Sequence, residues 1–173
     1  MPWDRGGPNP FVAGALEGVD GTGRRALVVG SALGDDPELV ASLGFAVVAF
    51  DVSPTSVRRA RERFPDSAVD YRVADLLDPP REWERAFDLV VEAITVQSMP
   101  RDLHDAAIAA VGRFVAPGGE LLVVSAQAED HPYGDGPPWP LSRAEVESFA
   151  RDGLTLRSLE STGERWRAWL QRS

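Results

Sequence analysis

Short apolar runs alternate with longer amphipathic stretches along most of this chain. Ala26 to Gly30 is a continuous apolar run closed by glycine. It is too short for a helix and predicts a buried strand. Asp35-Asp36-Pro37-Glu38 then carries helix-start signals, an acidic first turn with proline where the missing N–H does no harm. That helix is expected to reach Leu43, with Gly44 as its stop. The cycle repeats: a strand over Ala46 to Val52, then Ser53 as N-cap and Pro54 at the start of a helix to Phe64. A third strand over Val69 to Ala74 is weaker, because Asp70 and Arg72 interrupt it.

The later segments follow the same rhythm. Pro79 to Arg85 predicts a short helix, Phe87 to Ala93 a fourth strand, and Leu103 to Val115 a helix with Ala106, Ala107, Ala110, Val111 and Phe114 on one stripe. Pro117-Gly118-Gly119 reads as a turn before a fifth strand, Glu120 to Ala126. Ser142 to Arg151 predicts a helix with the Ser142, Glu145 capping-box spacing. Leu154 to Ser161 and Trp166 to Leu170 flank a turn at Gly163 and predict a terminal hairpin. The fold class expected is α/β: a doubly wound, mostly parallel seven-stranded sheet with a C-terminal antiparallel hairpin. One domain is expected over residues 1–173, with an irregular arm at 1–23, in which Phe11 to Leu16 opens a short helix, and a Pro/Gly-rich lid loop at 127–141.

Composition narrows the chemistry. The 173 residues include no cysteine, and all 18 basic residues are arginine. A cysteine nucleophile, a zinc ribbon, a Schiff-base lysine and a phosphate-loop lysine are therefore excluded. A net charge of −9 argues against nucleic acid or an anionic membrane as partner. No apolar stretch approaches a membrane span, and Met1 to Arg5 has no export signal, so the cytoplasm is the expected compartment. A monomer or homodimer acting on a small molecule is expected.

In an open α/β sheet a ligand binds at the C-terminal strand ends, where strand order reverses. The first strand ends in Gly30-Ser31-Ala32-Leu33-Gly34, whose small residues admit a ligand close to the backbone. The second ends at Asp51, about 20 residues on, where a carboxylate accepts both ribose hydroxyls. The third ends at Asp75, suited to an exocyclic adenine amine, beside Leu76, which packs on the ring. Asp35 and Asp36 would repel a pyrophosphate, which disfavours a nicotinamide dinucleotide. They tolerate a cofactor with a cationic centre, such as S-adenosylmethionine.

Leu27 to Asp36 resembles the first motif of class I S-adenosylmethionine-dependent methyltransferases, with Ala32 in place of the middle glycine. Three further segments resemble the thiopurine and halide/thiol methyltransferase family: Pro2-Trp3-Asp4-Arg5-Gly6, Ala116-Pro117-Gly118-Gly119-Glu120, and Gly136-Pro137-Pro138-Trp139 with Ser142. The resemblance implies that Gly30, Ser31 and Gly34 line the methionine half of the cofactor. Asp51 with Val52 would hold the ribose, Asp75 and Leu76 the adenine, and Glu92 would lie near the methionine amino group. Trp3 and Trp139 would close over cofactor and substrate, and Arg5 would face the substrate or the cofactor carboxylate.

The reaction implied is methyl transfer, with a thiol sulfur as the preferred acceptor, since a thiol pKa of about 8.5 needs little general-base help. A small-molecule O- or N-methyltransferase, or a cofactor-binding homologue that does not methylate, is the alternative. His131 and Tyr133, in the lid loop, are the candidates for assisting deprotonation. His104 is expected at a helix surface, Arg165, Arg167 and Arg172 on a solvated strand face, and no metal site is expected.

Overall fold

In the computed structural model, residues 4–128 and 136–173 are described. A short helix α1 (Pro10–Ala15) leads into β1 (Arg25–Val29), followed by α2 (Asp35–Ser42), β2 (Ala46–Asp51), α3 (Pro54–Arg63) and β3 (Asp70–Val73). Then come β4 (Phe87–Ala93), α4 (His104–Arg113), β5 (Val115–Ala126), α5 (Arg143–Glu147), β6 (Leu154–Ser161) and β7 (Arg165–Arg172). The strands form one sheet in the order β3-β2-β1-β4-β5-β7-β6. The five strands β1 to β5 run parallel, and β7 lies antiparallel to both β5 and β6. The α/β sheet with its antiparallel end matches the expected class, and strand order reverses between β1 and β4.

Local chemistry accounts for most element ends. Ser53 caps α3 by accepting the Ser56 N–H at 3.2 Å, with Pro54 next in the first turn. Ser142 and Glu145 form the reciprocal capping box of α5. Asn9 caps α1, accepting the Phe11 N–H at 2.9 Å. The central strands are buried on both faces, which is why β1 and β4 read as unbroken apolar runs.

Several boundaries differ from the sequence expectation. β5 begins at Val115, and Pro117-Gly118-Gly119 lies inside it. Phe87 pairs with Val115 but Leu89 pairs with Glu120, so these residues form an irregular bulge rather than a turn before the strand. The helix expected over 79–85 is a single 3-10 turn, Arg81–Trp83, because prolines at 79 and 80 leave little helical sequence. The last helix stops at Glu147, four residues early.

Two polar residues expected at the surface are buried. Arg172 is 5% exposed, and its guanidinium donates to the carbonyls of Gly112, Val115 and Asp152. It ties the end of α4 and the start of β5 to the turn before β6. His104 is 2% exposed and lies on the stripe with Ala107, Ile108 and Val111. Its ring sits between Glu145 Oε1, 3.0 Å from Nδ1, and the Met99 carbonyl, 2.8 Å from Nε2.

The core on the α4 side is organised by three aromatics. Phe50 and Trp83 stack tilted at 5.1 Å between ring centroids, and Phe114 meets both edge-on at 6.0 and 6.2 Å. Phe50 ends at the ligand cavity described below, so this cluster also stiffens the cavity floor. Trp83→Ala is expected to lower unfolding stability by about 3–5 kcal/mol, as read by urea denaturation. A loss below about 1 kcal/mol would show that the cluster contributes little.

Candidate active site

A cavity of about 510 Å³ opens at the C-terminal ends of β1, β2, β3 and β4, where strand order reverses. Its floor is backbone. Gly30 stands at φ 72°, and a Cβ there would collide with the hydroxyl of Thr95. That hydroxyl donates to the Val29 carbonyl at 2.9 Å and joins the β1 and β4 ends. Glycine is therefore required at position 30 for space as well as for conformation. Ala32 (φ 45°) and Gly34 (φ 96°) complete the first turn in left-handed conformations. The Ala32 strain is held in place by a hydrogen bond from its N–H to Asp51 Oδ2, 3.1 Å long.

Asp51 has a second fixed contact: its Oδ1 accepts the Ser53 N–H at 2.9 Å. Each oxygen thus has one backbone donor and keeps a lone pair for a pair of hydroxyls. Asp75 uses Oδ1 for the Leu77 N–H at 2.9 Å, an Asx-type turn that leaves Oδ2 for an amine. Leu76 is 5% exposed and Phe50 buried, whereas Val52 is 70% exposed; all three line the cavity and offer apolar faces to a planar ring.

The opposite wall is Ala93, Ile94, Thr95, Ser98 and Met99. Ile94 has φ 70°, a genuine outlier for a β-branched residue, and it sits at the cavity edge. Glu92 underlies this turn. It is fully buried, and its Oε1 accepts the N–H groups of Thr95 at 2.7 Å and Val96 at 3.0 Å. Burial pushes its carboxyl up to about 7, against the lowering effect of those two hydrogen bonds.

The N-terminal arm forms the roof. Asp4, Arg5, Gly7 and Asn9 line the cavity, and the arm is fastened by the Asn9 N–H, which donates to Asp36 Oδ1 at 2.7 Å. Burial raises the Asp36 pKa, opposed by that hydrogen bond; Asp35 adds to the rise and Arg5 lessens it. Buried side-chain atoms on the wall include Asn9 Nδ2 and Ser31 Oγ, neither of which has a partner.

The structure brings Arg5, Gly30, Ser31, Asp51, Val52, Asp75 and Leu76 together around one cavity. Gly34 shapes the turn from outside the lining, and Glu92 lies beneath it. Trp139 is half-buried beside the cavity-wall segment, its backbone N–H donating to the Gln97 backbone carbonyl at 2.6 Å, but it does not line the cavity. Trp3, His131 and Tyr133 lie outside the described residues. Asn9 escaped the sequence reading, although Asn before Pro10 at a helix start is an N-cap signal. His104, expected at a helix surface, turns inward, as its spacing from 107, 108 and 111 marks.

This fold and cavity are those of class I S-adenosylmethionine-dependent methyltransferases. Residues 26–119, more than half the chain, match the family described as methyltransferase domain, and the chain belongs to that family. The cofactor of the class is S-adenosylmethionine, and the residues present fit it: a carboxylate with two open lone pairs, apolar ring faces, acidic groups suited to a sulfonium, and unpaired buried donors.

A protein named probable thiol methyltransferase 2 from Arabidopsis thaliana is 29% identical over 148 residues, which is 84% of this chain and 65% of that protein. A thiocyanate methyltransferase 1 from Brassica oleracea is 25% identical with the same coverage. The chain thus spans about 65% of the length of these plant relatives. Among solved structures, a protein studied for the conversion of a disulfide bond into a thioacetal group during echinomycin biosynthesis superposes with a TM-score of 0.80. It shares 26% identity and the match covers 100% of this chain and 86% of that one. The N-methyltransferase NodS from Bradyrhizobium japonicum, complexed with S-adenosyl-L-homocysteine, gives a TM-score of 0.76 at 20% identity, covering 99% of this chain and 91% of that one.

The burial of Glu92 has a measurable consequence. Its pKa is higher folded than unfolded, so its contribution is fully present below the unfolded value of 4.5 and is lost as pH rises through about 7. Relative to Glu92→Gln, the wild type is expected to lose about 3 kcal/mol of unfolding stability between roughly pH 4.5 and 8. Urea denaturation across that range checks it; parallel stability profiles would contradict the assignment.

Proposed function

We propose that this protein transfers the methyl group of S-adenosylmethionine to the sulfur of a small thiol. The observation that carries this is the character of the acceptor side. Beyond the cofactor positions, the described lining is Ala93, Ile94, Thr95, Ser98 and Met99, with carboxylates and Arg5 as its titratable groups. Lysine and cysteine are absent from the chain, His104 is buried in a structural contact, and Tyr71 donates to Glu38 at 2.7 Å with burial raising its pKa. An acceptor that ionises by itself near neutral pH suits such a wall; a phenol or alcohol needs a base. The names of the two plant relatives, and the sulfur chemistry studied in the echinomycin protein, support the same choice.

In this reading Asp51 holds the two ribose hydroxyls and Asp75 the adenine amine, with Leu76 and Val52 against the ring. When bound, the cofactor supplies a methyl group already activated on a cationic sulfur. The protein's work is to hold acceptor, methyl and leaving sulfur in line and to keep water out. On transfer the acceptor sulfur would take the methyl carbon as the carbon–sulfonium bond breaks, and the thiol proton would pass to solvent or to the lid loop. His131 and Tyr133 are the lid residues proposed to receive it. Arg5 on the arm bounds the acceptor side, and Trp139 stands behind the wall segment, at Gln97.

Labelled methyl transfer to a thiol, a phenol and an amine tests the reading. Thiol turnover is expected, with a rate that rises with pH toward a pKa of about 8.5. A His131→Ala variant that slows at neutral pH and recovers above that pKa would mark the proton acceptor. Preferential turnover of the phenol or amine would contradict the thiol assignment. Asp51→Ala is expected to raise the KM for the methyl donor at least about tenfold, by removing two charged hydrogen bonds.

A further inference from the structure

We propose that His104 is a positioning residue for methyl transfer: it holds Met99, at the far end of the acceptor wall, against Glu145, and so fixes the wall to the β5 and β7 part of the sheet. The inference rests on methyl transfer at this cavity and not on the choice of acceptor. His104 is 2% exposed and opens α4. Its Nε2 lies 2.8 Å from the Met99 carbonyl, and its Nδ1 lies 3.0 Å from Glu145 Oε1. A carbonyl and a carboxylate both accept, so the ring donates from both nitrogens, with one proton standing between Nδ1 and Oε1. A neutral imidazole facing an ionised carboxylate has one N–H for two acceptors, and would lose one of the two ties.

Met99 needs such a tie. The chain passes through two single 3-10 turns, Val96–Ser98 and Arg101–Leu103, and Met99 lies between them in extended conformation, at φ −99° and ψ 148°. Pro100 after it favours that conformation and brings no N–H. The Met99 N–H donates to the Val96 carbonyl at 3.0 Å, and the Leu103 N–H to the Pro100 carbonyl at 2.9 Å. No backbone N–H among the described residues reaches the Met99 carbonyl, so the ring of His104 is what holds it. Met99 lines the cavity on the same wall as Ile94 and Ser98. The middle of that wall is held separately, by the Gln97 side-chain oxygen, which accepts the Ala126 N–H at 2.6 Å.

Glu145 is fixed by contacts of its own. Its Oε2 accepts the Ser142 N–H at 2.9 Å, and its N–H donates to Ser142 Oγ at 3.1 Å, which makes the capping box of α5. Just before α5, Leu141 is fully buried. Its N–H donates to the Ala126 carbonyl at 3.1 Å, and its carbonyl accepts the Trp166 Nε1–H at 3.0 Å. Val146 and Phe149 pack the other side of this segment into the core. His104 thus passes the position of β5 and β7 to the acceptor wall. Asp51 and Asp75, the proposed donor contacts, are held by bonds that do not involve His104. Releasing Met99 therefore disturbs acceptor alignment, to which in-line transfer is sensitive, and spares donor binding.

The test sets acceptor turnover against donor-site affinity in the full chain. Labelled methyl transfer is measured with 2-mercaptoethanol, phenol and benzylamine, and the variants are assayed with whichever of these the wild type methylates fastest. S-adenosylhomocysteine affinity is read by calorimetry. His104→Ala and Glu145→Ala are each expected to lower kcat/KM for the acceptor at least about tenfold, with S-adenosylhomocysteine affinity within about twofold of wild type. The double variant is expected to fall no more than about twofold below either single one, because both remove the same tie. In Glu145→Gln the amide oxygen keeps the Ser142 N–H and the amide N–H₂ donates to Nδ1, so a neutral ring holds both ties. Its kcat/KM is expected within about threefold of wild type. Ser142→Ala weakens the α5 cap without touching the tie, and is expected to lower the urea midpoint while leaving kcat/KM within about twofold.

Unchanged acceptor kcat/KM in His104→Ala and Glu145→Ala would overturn the assignment. A parallel loss of S-adenosylhomocysteine affinity would overturn it too, by marking a residue that supports the fold as a whole. Glu145→Gln as poor as Glu145→Ala would contradict the shared tie, and an equal loss in Ser142→Ala would assign the effect to the cap instead. If His104→Ala does not fold, the contrast between Glu145→Ala and Glu145→Gln decides the same point. A wild type that methylates none of the three acceptors leaves no transfer for His104 to position and sinks the proposal. A wild type that prefers phenol or benzylamine contradicts the thiol reading alone, and the same comparisons then decide on His104.

Discussion

The site is organised around one carboxylate. Asp51 receives the Ala32 N–H on one oxygen and the Ser53 N–H on the other. The first bond holds the turn after β1, which carries Ala32 and Gly34 in left-handed conformations. The second holds the start of α3, whose N-cap is the same Ser53. Removing the carboxylate would release both turns, and with them the backbone floor on which any ligand must lie. On the proposed reading the remaining lone pairs take the ribose, so one side chain both builds the floor and binds to it. This arrangement needs the residue to stand at the end of β2, beside β1 in the sheet, which the strand order provides.

A second constraint acts from below and behind. Glu92, buried without a cationic partner, ties the turn at Thr95 and Val96 to the end of β4. His104 ties Met99 to Glu145, which in turn caps α5 just after the lid loop. Gln97 accepts the Ala126 N–H at 2.6 Å and offers its carbonyl to Trp139. The wall from Ala93 to Met99 is therefore held by the buried polar residues Glu92, Gln97 and His104, and its own hydroxyls, of Thr95 and Ser98, are spent on the carbonyls of Val29 and Ile94. Such networks are costly when incomplete, which fits a wall whose geometry matters more than its reactivity.

Much of this was legible in the residues. Strands buried on both faces read as unbroken apolar runs, and the Asp51 and Asp75 positions follow from where those runs end. The arm and the Gly-Pro-Pro loop carried the family resemblance. What the sequence could not show is which polar residues turn inward. Arg172 looks like part of an exposed Arg-rich strand, yet it turns inward to the carbonyls of Gly112 in the last turn of α4, Val115 at the start of β5 and Asp152 in the turn before β6. The bulge of β5 is hidden because Pro-Gly-Gly reads equally well as a turn. Asn9 carries an N-cap signal that is easily passed over, and its buried amide nitrogen without a partner shows only once the arm is packed against Asp36.

A crystal structure of the protein with S-adenosylhomocysteine would decide whether Asp51 holds the ribose. The ligand is expected in the cavity at the β1–β4 switch point, with both ribose hydroxyls within about 2.6–3.2 Å of Asp51 oxygens and the adenine against Leu76. A ligand bound elsewhere, or a ribose beyond about 4 Å from Asp51 with the carboxylate still serving only Ala32 and Ser53, would contradict it.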